Sequence, residues 1–328
     1  MRILVTGGSG FTGANLVRRL LGLGHEVTVL DIKEESVLRN SETQAATVIV
    51  GSVTDPKVVD RATKGQEIVF HIAAAFREIS APDSLYVEVN EGGTRNVLAA
   101  AQRNGVRRVI HCSTSGVHGG NTPRPWGEDA PIGPDDIYQQ TKWMSEQVCQ
   151  EFIAQGQDIT IVRPTSEYGP GDTYGMRHLF RMAKKGRFIM FGSGKGTVHP
   201  IYIENLVDFF VLVMGNPATK GQVYLIADPL PITLNDLVKA VGRAQGVKVK
   251  ITHLPLLTVL YYAGWATEII CKPLKISPPI FRRRVHWFQS KSAYSIARAV
   301  SELSYKPSIS MDEGMRRTAA WYRENGYL

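Results

Sequence analysis

Tyr138 and Lys142 are separated by three residues in a stretch, 136–154, whose pattern predicts a helix, so phenol and ammonium fall one turn apart on the same face. That pairing suits proton transfer. A free tyrosine ionises near ~10, and a fixed cation favours the phenolate and draws the titration toward neutral pH. Ser113-Thr114-Ser115 adds hydroxyls able to hold a reacting oxygen. Near the start, Gly7, Gly10 and Gly13 recur every third residue, and Gly8, Gly10 and Gly13 also satisfy G-x-G-x-x-G. Bare amides there can cradle a pyrophosphate at a helix N-terminus. Asp31, 18 positions beyond Gly13, stands where an acid would hold the hydroxyls of an adenosine ribose and repel a 2′-phosphate. The chemistry implied is hydride exchange with a nicotinamide dinucleotide, NAD in preference to NADP, while Tyr138 moves the hydroxyl proton. Lys33 partly offsets Asp31 and keeps NADP in view.

The elements that must position these groups alternate. Strand patterns at 2–6, 25–30, 47–50, 67–72, 107–112 and 158–163 are separated by helical patterns at 56–63, 83–103 and 136–154. Such a rhythm predicts an α/β fold, a Rossmann-type doubly wound parallel sheet with helices on both faces. Thr6, Asp31, Thr114 and Arg163 then stand at or beside the carboxyl ends of strands, where one crevice collects them. Beyond Pro164 the rhythm breaks into the turn-rich YGPGDTYG (168–175) and GSGKG (192–196). The expected division is a dinucleotide-binding domain at 1–165 and, at 166–328, mainly a smaller α/β substrate cap with some segments returning to the sheet. Helical patterns at 204–214 and 234–244 and a strand at 222–226 are expected in that cap.

The 328 residues carry 43% hydrophobic and 21% charged side chains, with no repeat or low-complexity tract, which excludes solenoids and disordered tails. The net charge of +8 is scattered apart from Arg282, Arg283 and Arg284, so no nucleic-acid partner is expected. Cys112, Cys149 and Cys271 have no metal-ligand spacing; reduced thiols, no metal and a cytoplasmic location are the expectation. The most apolar stretch, 253–270, contains Pro255 and Glu268 and is short for a span, which needs ~20 residues. It reads as a buried helix, or as peripheral membrane or lipid contact through 253–284.

Taken in order, Gly7-x-x-Gly10-x-x-Gly13, Asp31, HIAA (71–74), VNEGGTRNVL (89–98), the loop at Thr114, Tyr138-x-x-x-Lys142 and RPTSEYGPGD (163–172) resemble the extended short-chain dehydrogenases. The ending SYKPSISMDEGMRRTAAWYRENGYL also looks like that family's C-terminus. The resemblance implies Tyr138 as acid/base, Lys142 as ribose contact and tuner of Tyr138, and Thr114, three before Val117, as hydroxyl partner. It implies cofactor contacts from Gly7, Gly10, Phe11, Thr12, Gly13 and Asp31, then from Ser52, Val53, Ala73, Ala74, Asn90, Arg163 and Pro164, besides Tyr138 and Lys142. Ser115, His118, Ser166 and Glu167 are the implied substrate contacts. Val117-His118-Gly119 replaces the usual V-Y-G, and Ser52 replaces an aspartate that commonly meets the adenine. Helices 92–103 and 136–154 correspond to the family's dimer interface, so a homodimer is implied.

The substrate branch rests on two positions. Nucleotide-sugar epimerases and dehydratases resemble one another in an asparagine, here Ser166, and in an arginine that grips the diphosphate, here Val198. Tyr202-Ile203-Glu204-Asn205 and the apolar insertion 253–279 instead resemble 3β-hydroxysteroid and sterol-4α-carboxylate 3-dehydrogenases. The small-molecule substrate expected is therefore a bulky, mainly apolar secondary alcohol or its ketone. An epimerase or dehydratase with tightly bound NAD is the alternative, toward which Arg177, Arg181, Lys184, Lys185 and Arg187 would supply cationic contacts.

Overall fold

Runs of apolar residues with no polar alternation form strands buried on both faces, and that requirement builds the sheet. In β1 (Arg2–Thr6), Ile3, Leu4, Val5 and Thr6 are all buried, as is every residue of β4 (Ile68–His71), β5 (Arg108–Cys112) and β6 (Ile159–Pro164). With β2 (Glu26–Asp31) and β3 (Thr47–Val50) they make a parallel sheet completed by a later strand, β11 (Val223–Ile226). The order is β11-β6-β5-β4-β1-β2-β3. The chain runs outward from β1 to β3, then returns to β1's other side with β4, so β1 and β4 flank the switch point where ligands bind in such sheets. Thr6 pairs with His71 there. This computed structural model describes residues 1–34, 45–76, 81–120, 125–271, 287–289 and 291–328.

Helices pack on the sheet where local chemistry starts and stops them. Asp55 caps α2 (Pro56–Thr63), its carboxylate accepting the Lys57 and Val58 N–H groups, with Pro56 in the first turn. Asp136 caps α5 (Ile137–Ala154) through the Gln139 N–H, and Gly156, at φ +94°, follows its end. The expected helix at 83–103 is broken into α3 (Asp83–Tyr86), a π-helical turn (Val87–Gly92) and α4 (Gly93–Arg103). Between β1 and β2 lies α1 (Phe11–Gly22).

The chain forms two units. The first comprises 1–167, 203–227 and 295–308; the second comprises 168–202, 228–294 and 309–328. Two elements expected in the cap belong to the first: α7 (Ile203–Gly215), apolar on most sides and packed against α1, and β11, which pairs with β6. Apolar continuity explains the correction, since β11 is an almost fully buried strand and needed a sheet edge to join. In the second unit, β8 (Arg187–Phe191) pairs in parallel with β13 (Lys250–Leu254), and α8 (Leu234–Ala244) packs between α6 (Arg177–Ala183) and the helix Met311–Glu324. An apolar helix, α9 (Leu257–Cys271), follows β13.

Candidate active site

The glycine turn is shaped by close approach. Gly7 has φ +73°, and a Cβ there would lie 2.7 Å from the Ala73 nitrogen; one at Gly13 would lie 2.1 Å from the Gly7 carbonyl oxygen. Gly10 precedes α1 with no side-chain cap, leaving first-turn N–H groups to an anion. Asp31 accepts the Ser9 N–H at 2.9 Å and the Lys33 N–H at 3.1 Å. A carboxylate offers about four acceptor sites, so roughly two stay available for a ribose diol. The turn, the uncapped helix and Asp31 fit NAD on these grounds. Phe11 and Thr12 are half-buried in the first turn, and Thr12 donates its hydroxyl to Glu167 in a short contact.

Ala73 and Ala74, half-buried after β4, lie beside the turn, Ala73 against Gly7. A hydrogen-bonded chain runs beneath them. Thr94 Oγ1 donates to the Asn90 carbonyl at 2.5 Å, so it accepts from His71 Nε2–H at 3.0 Å. His71 Nδ1 therefore accepts the Thr6 hydroxyl at 2.8 Å, and Thr6 accepts the Ala73 N–H at 3.3 Å. Burial, with the Lys142 cation second, pushes the His71 imidazole down to about 3, which keeps it in this neutral tautomer. His71 thus ties the residue preceding the glycine turn to the π turn. In the sequence His71 stands within the HIAA motif alone; its partners lie 65 and 23 residues away, and no local pattern announces them.

Thr114 is half-buried, its oxygen accepting the Gly116 N–H at 3.1 Å, and this loop packs on Gln139, the neighbour of Tyr138. Tyr138 is half-buried, with the Phe76 ring 4.7 Å from its own. Phe76 was not foreseen as part of the site. Lys142 is 1% exposed; burial lowers its pKa, with Cys112, Cys149 and Glu146 acting the other way. Burial, with Glu167 second, pushes the Cys112 thiol up to about 12, so it is protonated.

Several expected contact residues are engaged inside the protein. Asn90, expected at the cofactor, is buried: its oxygen accepts the Ala75 N–H at 2.7 Å and its amide donates to Ala75 O and to Thr141 Oγ1. Thr141 in turn donates to the Ile137 and Tyr138 carbonyls, so Asn90 positions the first turn of α5. Arg163, also expected at the cofactor, gives its guanidinium to Glu146, His118 and the Glu128 carbonyl. His118, expected at the substrate, is buried: Nδ1 donates to the Ala130 and Pro131 carbonyls and Nε2 accepts from Arg163, while burial and Arg163 lower its pKa. Their polar atoms are satisfied by the protein itself, so all three hold other groups in place. Ser52 Oγ bonds Thr54, Val53 packs under Gly93, and Pro164 is buried at the end of β6. Ser115 is buried, Ser166 exposed and Glu167 half-buried.

The NAD dependent epimerase/dehydratase family model matches residues 3–227. The chain is similar to N-acetyl-alpha-D-glucosaminyl-diphospho-ditrans,octacis-undecaprenol 4-epimerase of Escherichia coli O157:H7, 30% identical over 319 residues, 96% of this chain and 93% of that protein. It is 29% identical over 342 residues to a 3 beta-hydroxysteroid dehydrogenase/Delta 5→4-isomerase of Mycobacterium tuberculosis, covering 98% of this chain and 90% of that one. Among solved structures it resembles the UDP-glucose 4-epimerase of Thermotoga maritima with UDP-glucose, at TM-score 0.78 and 25% identity over 99% of each chain. The family match spans the glycine turn, Asp31, Thr114, Tyr138, Lys142 and all seven strands, and the chain belongs to the NAD-dependent epimerase/dehydratase family of extended short-chain dehydrogenases.

Proposed function

We propose that this enzyme interconverts a secondary alcohol and a ketone on a bulky, mainly apolar substrate, as a hydroxysteroid or sterol dehydrogenase does. The observation that carries the reading is Lys142, buried one helical turn from the half-buried Tyr138. A desolvated cation so placed favours the phenolate. Tyr138 would take the hydroxyl proton in oxidation and return it in reduction. Thr114, already accepting from Gly116, keeps its hydrogen to donate to the substrate oxygen and align it with Tyr138. NAD supplies the hydride acceptor or donor.

The substrate class follows from what is missing and what the relatives' names share. Ser166 and Val198 replace the asparagine and arginine expected of a sugar-diphosphate site. The names of the two relatives specify an undecaprenol-linked sugar and a hydroxysteroid, each with a large apolar portion. The 30% identity to the first favours one second reading, an epimerase on a lipid-linked sugar, which would return the hydride to the opposite face and keep its NAD.

Incubation with NAD and a panel of sterols, lipid-linked sugars and nucleotide sugars separates them. Net NADH with a sterol supports the dehydrogenase. An isomerised sugar without net NADH replaces it with the epimerase.

A further inference from the structure

Glu167, three residues past the end of β6, reaches back to the opening of the chain. Its carboxylate accepts the hydroxyl of Thr12, in the first turn of α1, and both side chains are half-buried. In the sheet order β6-β5-β4-β1, two strands separate the end of β6 from the turn that follows β1. At ~4.8 Å per step those ends stand about 14 Å apart, so the Thr12–Glu167 link crosses above the carboxyl ends of β4 and β5.

The same carboxylate acts on the proton-transfer end of the site. Burial is the main reason that the Cys112 thiol, at the end of β5, stays protonated; next come Glu167, which pushes its titration up, and Lys142, which pulls it down. Glu167 and Lys142 thus bear on one sulfur, two residues before Thr114. A dinucleotide cradled at the glycine turn and reacting at Tyr138 has to carry its nicotinamide half over the same two strand ends. Only the nicotinamide changes charge in the reaction. Its ring is cationic when oxidised and neutral once hydride is added, while the pyrophosphate and both riboses are unaltered. A fixed negative charge near that ring discriminates between the two forms, whereas its repulsion of the pyrophosphate acts on both and cancels in their ratio. Asp31, at the end of β2, lacks this leverage, because the adenosine end is identical in the two forms.

We propose that Glu167 serves the cofactor and not the substrate: its carboxylate, steered by the Thr12 hydroxyl, selects oxidised NAD over NADH. By stabilising the cationic ring it lowers the reduction potential of the bound couple, which makes the enzyme's NADH a stronger hydride donor. This rests on the NAD cradle and is independent of which alcohol or ketone the enzyme uses.

Calorimetric titration of the full chain with oxidised NAD and with NADH gives the ratio of their dissociation constants. Glu167→Gln keeps an acceptor for Thr12 and removes the charge. Oxidised NAD should then bind about tenfold more weakly while NADH stays within about twofold, so the ratio shifts against the oxidised form. Asp31→Asn, which removes an equal charge from the adenosine end, should weaken both forms by the same factor. Should Glu167→Gln fold poorly, Thr12→Val, which leaves the carboxylate but frees it, should shift the ratio in the same direction by a smaller factor. A ratio in Glu167→Gln equal to the parent's overturns the proposal, and an altered KM for the alcohol alongside it assigns Glu167 to the substrate. Both forms binding more tightly by one factor would show a carboxylate that faces only the pyrophosphate, and that also overturns it.

Discussion

Glu146 and Arg163 form a two-point ion pair within the first unit, Nη2 to Oε2 at 2.7 Å, with side chains 2% and 5% exposed. Glu146 also accepts the Ser113 hydroxyl in a short contact, and Arg163 reaches His118 and the Glu128 carbonyl. Strand β6, helix α5 and the Thr114 loop are thereby joined at a single charge pair. Removing one member strands the other charge in a dry interior. Glu146→Ala should cost about 3–5 kcal/mol in denaturant unfolding. Glu146→Leu/Arg163→Met should recover much of that, because two apolar groups leave no uncompensated charge. A double variant as unstable as the single would show that the pair itself, and not the orphaned charge, holds the region.

Tyr138→Phe keeps the ring that meets Phe76 and removes the proton path. Turnover should fall by about 10²–10⁴, with NAD affinity within a few fold of the parent, as read by steady-state rates and calorimetric titration. Undiminished turnover would remove Tyr138 from the mechanism.

The glycine turn separates folding from ligand binding. A methyl on Gly13 would meet backbone at 2.1 Å and 2.7 Å, whereas the nearest atom to one on Gly10 is the Gly7 carbonyl oxygen at 3.4 Å. Gly10, at φ −76° and ψ 177°, accommodates alanine. Gly13→Ala should therefore unfold at markedly lower denaturant. Gly10→Ala should stay within about 1 kcal/mol of the parent yet bind NAD at least about tenfold more weakly. Equal NAD affinity in Gly10→Ala would place the pyrophosphate elsewhere.

Acid should unfold this protein partly through its histidines. His71 sits at about 3, set by burial and then by Lys142, against ~6.5 in the unfolded chain. Between those values the unfolded state holds a proton that the folded state lacks, so stability falls as pH falls, by about 1.4 kcal/mol per pH unit. His111 is driven down in the same direction by burial, Lys142 and His71. His71→Gln should flatten the dependence between pH 6.5 and 4.5 by about one proton's worth, measured as urea midpoints at matched m-values. An unaltered slope would mean that His71 is already protonated in the folded chain.

Where periodicity and caps act locally, sequence and structure agree: strand 47–50 and helices 56–63 and 234–244 match to the residue, and the other expected strands lie within one residue of those observed. The π turn was not legible, because the apolar pattern continues through Val87–Gly92 while Asn90 turns inward to Ala75 and Thr141. Arg163 and His118 read as ligand contacts because strand ends and loops are where ligands bind. Their partners, Glu146, Glu128, Ala130 and Pro131, lie 12 to 35 positions off, and only folding reveals that those donors and acceptors are already satisfied. Strands β8 and β13 lie beyond the alternating strand and helix rhythm that marks the sheet, and each finds its partner across more than fifty residues.

The late position of β11 governs how the nascent chain must behave. Six strands of the sheet have left the ribosome by Pro164, but the one that covers β6 begins at Val223. At cellular synthesis speeds the intervening residues take roughly three to twelve seconds, throughout which the edge of β6, with its unpaired backbone groups, stands open to other polypeptides. A chain terminated before Val223 never closes that edge and should aggregate under conditions where the full-length chain does not.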